Sequence, residues 1–403
     1  MQDLVSASIL ASTDRPRRLA FASAVLALVT SFAANAAPVP LYNVYRAEDG
    51  LTNAQISMAV VAYSLGTIAS LLVLGRVSNH VGRRPAALVS LILTMAGCLV
   101  LLNVHHVAPL LVGRLSMGLG AGLASSSLTA YIVDTAPVKP RWLASVASSQ
   151  GPMFGLALGA IGSGVLVQLA PWPRDLVYVS LAVALLASAG LIGLSPETVP
   201  ATSGVRRSMR PQVRLPHHAK PLVGVAAAVF VATWATGAFY QAFVPALIED
   251  QLHTGSPLVL GMVFAAYMAS SALGAPLGGT FTPATGQRVG MGVFLVGMIG
   301  LIAAISTGTL ALFIAATVVA GASQGIAISA AVRGLLAGST VSDRAPIFSV
   351  IYLISYSGAA FPSLVAGQFS HAISVPHIAF AYGGLALLAT SYTVVAARDP
   401  QER

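Results

Sequence analysis

The sequence predicts an all-α membrane protein, with twelve transmembrane helices arranged as two pseudo-symmetric six-helix lobes. Three observations carry this expectation. Of the 403 residues, 56% are hydrophobic and 8% charged, with a mean hydropathy of +0.82; a soluble domain carries about 25% charge. The apolar residues gather into twelve runs, each near the ~20 residues that cross a bilayer as a helix. Finally, the positive charges fall on one side of the topology those runs define. With both termini cytoplasmic, eighteen of the 21 Lys and Arg lie on inner loops and tails, Arg15, Arg141 and Arg403 among them. Arg46 and Arg174 lie outside and Arg114 within the membrane, a bias of the kind that orients membrane helices. An odd number of spans would scramble it.

The runs lie at 19–44, 53–77, 85–104, 107–133, 142–169, 175–195, 221–247, 256–280, 289–306, 309–335, 346–370 and 376–397. They do not alternate and are too long for barrel strands. A cytoplasmic tail, 1–18, ends in "RPRR". The span after it and Ala34-Asn35-Ala36 have the outline of a secretory leader, but a chain with many further spans needs no removable leader, so this is read as an uncleaved first helix. The N-terminal lobe then covers 19–195, a proline-rich basic linker 196–220, the C-terminal lobe 221–397, and a second cytoplasmic tail 398–403. Linker arginines close to anionic headgroups add about 1 kcal/mol each.

The two lobes echo each other. Superposing Ala62-Tyr63 on Ala266-Tyr267 without gaps places Gly75 on Gly279, Gly82 on Gly286 and Arg84 on Arg288, the pattern expected of an internal repeat.

Several functional classes are excluded. The pI near 10.0 would suit nucleic acid only if the basic residues shared one solvated face; here they form short clusters between apolar runs. Cys98 is the only cysteine, so it forms no intrachain disulfide and reads as a small packing residue. His217 and His218 are adjacent rather than at a metal-ligand spacing. No phosphate-binding loop or nucleophile with its base is evident, so no enzyme activity, metal or cofactor is expected.

Charge nevertheless concentrates in "GRVSNHVGRRP", 75–85, with Arg76, His80, Arg83 and Arg84 between the second and third spans. This stretch resembles the signature loop of the major facilitator superfamily, roughly G-x-L-A-D-R-x-G-R-[KR], matched here by Gly75, Val77, Ser78, Asn79, His80, Gly82, Arg83 and Arg84. The resemblance implies a latch in which the loop, through Gly75, Asn79, Gly82, Arg83 and Arg84, meets Asp134 and holds an outward-facing state. Asn79 stands where the family has Asp, which removes one charge attraction. "GRLSMGLGAG", 113–122, resembles the family's fourth-helix R-x-x-x-G pattern, with Arg114, Gly118 and Gly122; glycines four apart make a flat face for close helix packing. Gly321, Ser323, Gln324 and Gly325 echo it in the tenth span. "QGPMFGLALGAIGSG", 150–164, is similar to the glycine-rich fifth helix of antiporters, although Ala160 replaces the proline if Gly159 is aligned, and the glycine spacing is off if Gly151-Pro152 is.

A charge at mid-bilayer costs at least about 2.5–3.5 kcal/mol, so Arg114 is the leading functional candidate. It sits roughly 10 Å in from the outer surface by helix rise. Its expected roles are to bind an anionic substrate, to organise a polar network or to respond to proton movement; the structural alternative is donation to backbone carbonyls and Asn35. No Asp or Glu lies deep in any run, and neutral Asn35 occupies the first-helix region where many proton-coupled exporters of the family carry a carboxylate. Gln150, Trp234, Tyr240, Gln241, Tyr267, Gln324, Tyr352 and Tyr356 complete the expected cavity; aromatic walls with a few hydrogen-bonding groups suit flattish organic molecules. The resemblance thus implies a monomeric secondary transporter in a bacterial-type inner membrane, working by alternating access, with protons as the coupling ion. Efflux of drug-like or amphipathic compounds is the first expectation, and import or facilitation of a small, anionic metabolite the alternative.

Overall fold

A computed structural model describes residues 2–400 apart from Val138 and Arg141, and the side chains from Arg17 onward apart from that of Val341. The side chain of Arg15, and Arg141 and Arg403, therefore lie outside the described residues. Twelve described helices are long and apolar enough to cross a membrane: α1 (Gln2–Ala36), α2 (Asn53–Val73), α3 (Arg83–Leu101), α4 (Val107–Thr135), α5 (Trp142–Leu169), α6 (Pro173–Leu194), α7 (Val223–Ala242), α8 (Pro257–Leu277), α9 (Pro283–Thr307), α10 (Leu310–Leu336), α11 (Val341–Phe369) and α12 (Val375–Ala396).

Two expected spans are corrected. The runs 19–44 and 221–247 each read as one helix, but both break near the same end. After α1 the chain makes a 3-10 turn, Val39–Leu41, and a short helix, Tyr42–Asp49; after α7 it restarts as Val244–Asp250. Pro38 and Pro40 at the first break and Pro245 at the second explain both, because proline supplies no N–H and its ring crowds the preceding turn. α1 also starts inside the segment read as a tail and runs on through Pro16.

α9 and α11 begin several residues before their apolar runs. Thr282 caps α9, its side chain accepting from the Thr285 N–H, and Thr340 forms a reciprocal capping box with Asp343 at α11. Hydropathy marks the membrane part of a helix, whereas the cap sets where it starts.

Glycine lets helices within each lobe touch. A Cβ on Gly118 of α4 would stand 2.1 Å from the Tyr63 carbonyl oxygen of α2. In the C-terminal lobe, a Cβ on Gly325 of α10 would stand 2.1 Å from the Ser271 oxygen of α8. Each lobe is also fastened just beyond its last helix. Glu197 accepts the Arg83 and Arg84 N–H groups at 2.8 and 3.0 Å; Asp399 accepts the Ala284 N–H at 2.9 Å and the Thr282 hydroxyl at 3.0 Å. In both lobes an acid three residues past the sixth helix covers the N-terminus of the third, where unsatisfied N–H groups and the helix dipole favour negative charge. Between the lobes, α5 packs on α8 and α2 on α11. The outward surface is apolar, with Leu194, Leu273, Leu388 and Val395 almost fully exposed, as a hydrocarbon solvent requires.

Candidate functional site

Polar side chains bridge the lobes at one end of the molecule, beside an open depression of about 680 Å³, and a cavity lies between the lobes at the other. At the closed face, Arg46 on the helix Tyr42–Asp49 reaches Glu249 at 3.5 Å and Asp250 at 3.4 Å on the helix Val244–Asp250. Asn43 Nδ2 donates to the Pro245 carbonyl at 2.9 Å. Gln168 at the end of α5 accepts from the Ser256 hydroxyl at 2.6 Å and the Leu258 N–H at 3.3 Å. The arm that carries Arg46 is itself pinned to its own lobe: Arg174 bonds Glu48 at 2.9 Å and the buried Asp49 at 2.6 Å, stands over the Tyr45 ring, and donates to the Val104 carbonyl. His105 adds a contact to Asp49 at 3.3 Å.

Beneath this closure lies a buried polar cluster between the lobes. Arg114 is completely shielded from solvent. Its Nη1 donates to the Asn35 carbonyl at 2.7 Å, its Nη2 to Gln241 Oε1 on the other lobe at 3.0 Å, and its guanidinium stacks 4.6 Å above the Tyr63 ring. Trp234 packs edge-on against Tyr356 with ring centroids 4.6 Å apart, and Tyr356 meets Tyr63 across the interface. Of the expected cavity residues, Asn35, Arg114, Trp234, Gln241 and Tyr356 thus gather here, joined by Tyr63.

Tyr240, Tyr267 and Gln324 do not. Tyr240 and Tyr267 stack at 4.3 Å and have no exposed surface. The Tyr267 hydroxyl donates to Gln324 Oε1 at 2.8 Å, and the Tyr240 hydroxyl pairs with Thr317 at 2.7 Å. In this arrangement they form a self-satisfied core network of the C-terminal lobe, because α7, α8 and α10 turn those faces toward one another.

Toward the face that carries the linker, the lobes enclose an open cavity of about 400 Å³. Leu71, Leu72, Gly75, Arg76, Ser125, Ser126, Thr129, Ser148 and Ser149 line it from one lobe, Gln212 from the linker, and Ala345, Phe348, Ser349 and Tyr352 from the other. Tyr352 is thus among the lining residues, while Gln150 is not: its neighbours Ser148 and Ser149 face the cavity, and its Nε2 donates to the Ser149 hydroxyl at 3.2 Å. Nothing in the linear pattern singles out the serines beyond their grouping. Ser125 and Ser148 return their hydroxyl protons to the carbonyls of Ala121 and Ala144, both at 2.8 Å. Such back-bonding lets a helix carry polar oxygen through hydrocarbon at low cost.

The charged loop forms a compact cluster at the same face. Gly82 adopts a left-handed φ of 102° between the short helix Ser78–Val81 and α3, a conformation that glycine takes without Cβ strain. Arg83 Nε donates to Asp134 at 3.0 Å, and its Nη1 to Ser78 at 2.8 Å and Asn79 at 2.6 Å. Arg84 enters through its backbone N–H to Glu197, and Gly75 lines the cavity rim. The linker closes over the loop: Thr198 donates to Asp134 at 3.2 Å, His80 meets Thr202 at 3.1 Å, and Arg76 donates to the Ser208 and Arg210 carbonyls at 3.0 and 2.7 Å. The Arg83–Asp134 pair joins two parts of one lobe, and it is formed while the lobes are parted at this face. Glu197, absent from the sequence expectation, is the acid that organises the cluster.

The model of the Major Facilitator Superfamily matches residues 19–235, just over half of the chain. The chain belongs to the major facilitator superfamily. The solved structure of the D-xylose-proton symporter, a member of similar fold, superposes with a TM-score of 0.72 at 16% identity, covering 96% of this chain and 98% of that one. The xylose transporter XylE from E. coli, in a partially occluded inward open conformation, gives a TM-score of 0.70 at 16% identity over 93% and 96% of the two chains. At this identity the likeness shows the superfamily fold alone. Among curated relatives, myo-inositol transporter 3 of Cryptococcus neoformans is 27% identical over 32% of this chain and 22% of its own length. Multidrug resistance protein MdtL of Klebsiella pneumoniae is 31% identical over 21% and 22%. The matched stretches span about a fifth of the curated relatives' length. As a superfamily member, the chain is a multi-pass membrane protein of a transporter family.

Proposed function

We propose that this protein exports a small organic compound across a bacterial-type inner membrane by alternating access, as a monomer with its linker face and both termini in the cytoplasm. The observation that supports it best is the asymmetry of the lobe interface. One end is bridged by Arg46, Asn43 and Gln168, and at the other a serine- and aromatic-lined cavity lies between the lobes. A cavity wall with few fixed charges suits drug-like amphipaths, and the partial match to MdtL favours efflux. Protons are the proposed coupling ion. Asp49 and His105 at the closed face and Asp134 at the linker face are the proposed carriers, and the Arg83–Asp134 pair, formed here with the lobes parted at the linker face, is proposed as a brace within its lobe rather than a latch confined to the outward-facing state.

Everted membrane vesicles from overexpressing and deletion strains test this directly. Proton-driven accumulation of amphipathic dyes in the first and not the second is the expected result. Identical retention across a broad compound panel rejects export. Uptake is the second reading, favoured by the inositol transporters among the relatives; labelled polyol entry into intact cells that depends on this protein would establish it instead.

A further inference from the structure

Arg114 is a buried cation whose partners are all neutral. Two of its five N–H groups are spent on the Asn35 carbonyl and the Gln241 amide oxygen, its face rests on Tyr63, and its Nε has no hydrogen-bond partner. Two other shielded groups are likewise unpartnered. They are Asn35 Oδ1 and the hydroxyl of Tyr42, a side chain within electrostatic reach of Arg114. Arginine stays protonated in proteins, so neutralisation cannot come from loss of its proton. Among the described residues, the carboxylates engage other partners or lie at the two faces.

Nε and Nη2 form one edge of the guanidinium fork, whose geometry matches the two oxygens of a carboxylate. Here Nε is vacant and Nη2 holds a single neutral oxygen, that of Gln241. We propose that Arg114 is a carboxylate-binding subsite and that the substrate is a small organic acid. Its carboxylate takes the Nε–Nη2 edge in place of the Gln241 amide, the Tyr42 hydroxyl donates to it, and Asn35 Oδ1 accepts from a hydroxyl on the ligand. Tyr63 and Tyr356 then supply flat apolar walls. Because Gln241 belongs to the opposite lobe, ligand and lobe contact compete for the same edge: the acid loosens the cross-lobe bond as it binds. Only the word substrate rests on the transport reading; the binding does not.

The test uses purified full-length protein in detergent with two matched pairs of probes, 4-hydroxybenzoate against 4-hydroxybenzamide and lactate against lactamide, in chloride-free buffer and then with chloride alone. Calorimetry should show at least one acid binding tenfold or more tightly than its uncharged amide. Arg114→Gln should abolish that preference. Gln241→Glu places a carboxylate permanently at the edge, so it should raise the melting temperature of the ligand-free protein and remove the response to both acids; it keeps the proposal testable should Arg114→Gln fail to fold. Equal binding of acid and amide, saturation by chloride with no further effect of the acids, or an undiminished acid preference in Gln241→Glu would each overturn the subsite. Acid preference in detergent without movement of the acids in vesicles would uphold the subsite and overturn the transport reading alone.

Discussion

Arg46 and Glu249, 203 residues apart in sequence, face each other at 3.5 Å across the lobe boundary, each on a short helix that a proline break creates. Asp250 stands 3.4 Å from the same guanidinium. The side chains are partly exposed, Arg46 by 23% and Glu249 by 43%, so the contact is worth at most about 1 kcal/mol and is screened by salt.

Arg46→Ala should therefore loosen the closed face without unfolding the protein. About 1 kcal/mol corresponds to roughly a fivefold shift in population. A cysteine at Leu51, which is buried yet lines the depression beside Arg46, reports it through its rate of maleimide labelling, because Cys98 is buried and silent. The expected rate is several times higher in Arg46→Ala, and high salt should raise it in the parent only. Equal rates at low salt would show that the pair does not hold the face shut.

Glu197→Ala should destabilise the N-terminal lobe by about 0.5–2 kcal/mol, the usual cost of a lost helix cap. Asp399→Ala should do the same to the C-terminal lobe. Scanning fluorimetry of the two single variants and the double variant checks both, with additive losses expected because the caps sit in different lobes.

Gly261→Ala separates conformation from folding. Its Cβ would stand 2.3 Å from the Ala160 oxygen across the lobe boundary, so the closed face cannot form without a shift costing about 1–3 kcal/mol. The variant should fold normally yet label faster at Leu51→Cys and more slowly at Ser126→Cys in the linker-face cavity. Gly118→Ala, which clashes within one lobe, should instead lower the folded yield.

Tyr267→Phe leaves Gln324 Oε1 without its donor. An unsatisfied buried acceptor costs about 1–3 kcal/mol, so the melting temperature should fall while substrate selectivity stays unchanged. A changed substrate profile at unchanged stability would place Tyr267 on the transport path.

The spans were legible because apolar length is imposed directly by bilayer thickness. The breaks at Pro38 and Pro245 were written in the sequence too, but the apolar run continues through them and hides the change of direction. Depth was readable and rotation was not. Tyr240 and Tyr267 sit at the expected level yet face their own lobe, and Gln150 misses the cavity that its neighbours Ser148 and Ser149 line, since each helical step turns a side chain by about 100°. Asn35 was already a candidate partner of Arg114 on sequence grounds, but Gln241 as the cross-lobe partner required the fold. Glu197 lay in a polar segment read only as a connector, and nothing local links it to a turn more than a hundred residues earlier.

The acids that follow the sixth and twelfth helices have a consequence for how the polypeptide can be divided. Contacts from the connecting segment to the first lobe extend through Arg210, and the second lobe closes on itself through Asp399. A nick between Gln212 and Pro216 severs none of these fastenings. Two separately expressed fragments cut there should each assemble as an independent bundle and recombine in the membrane into a working pair.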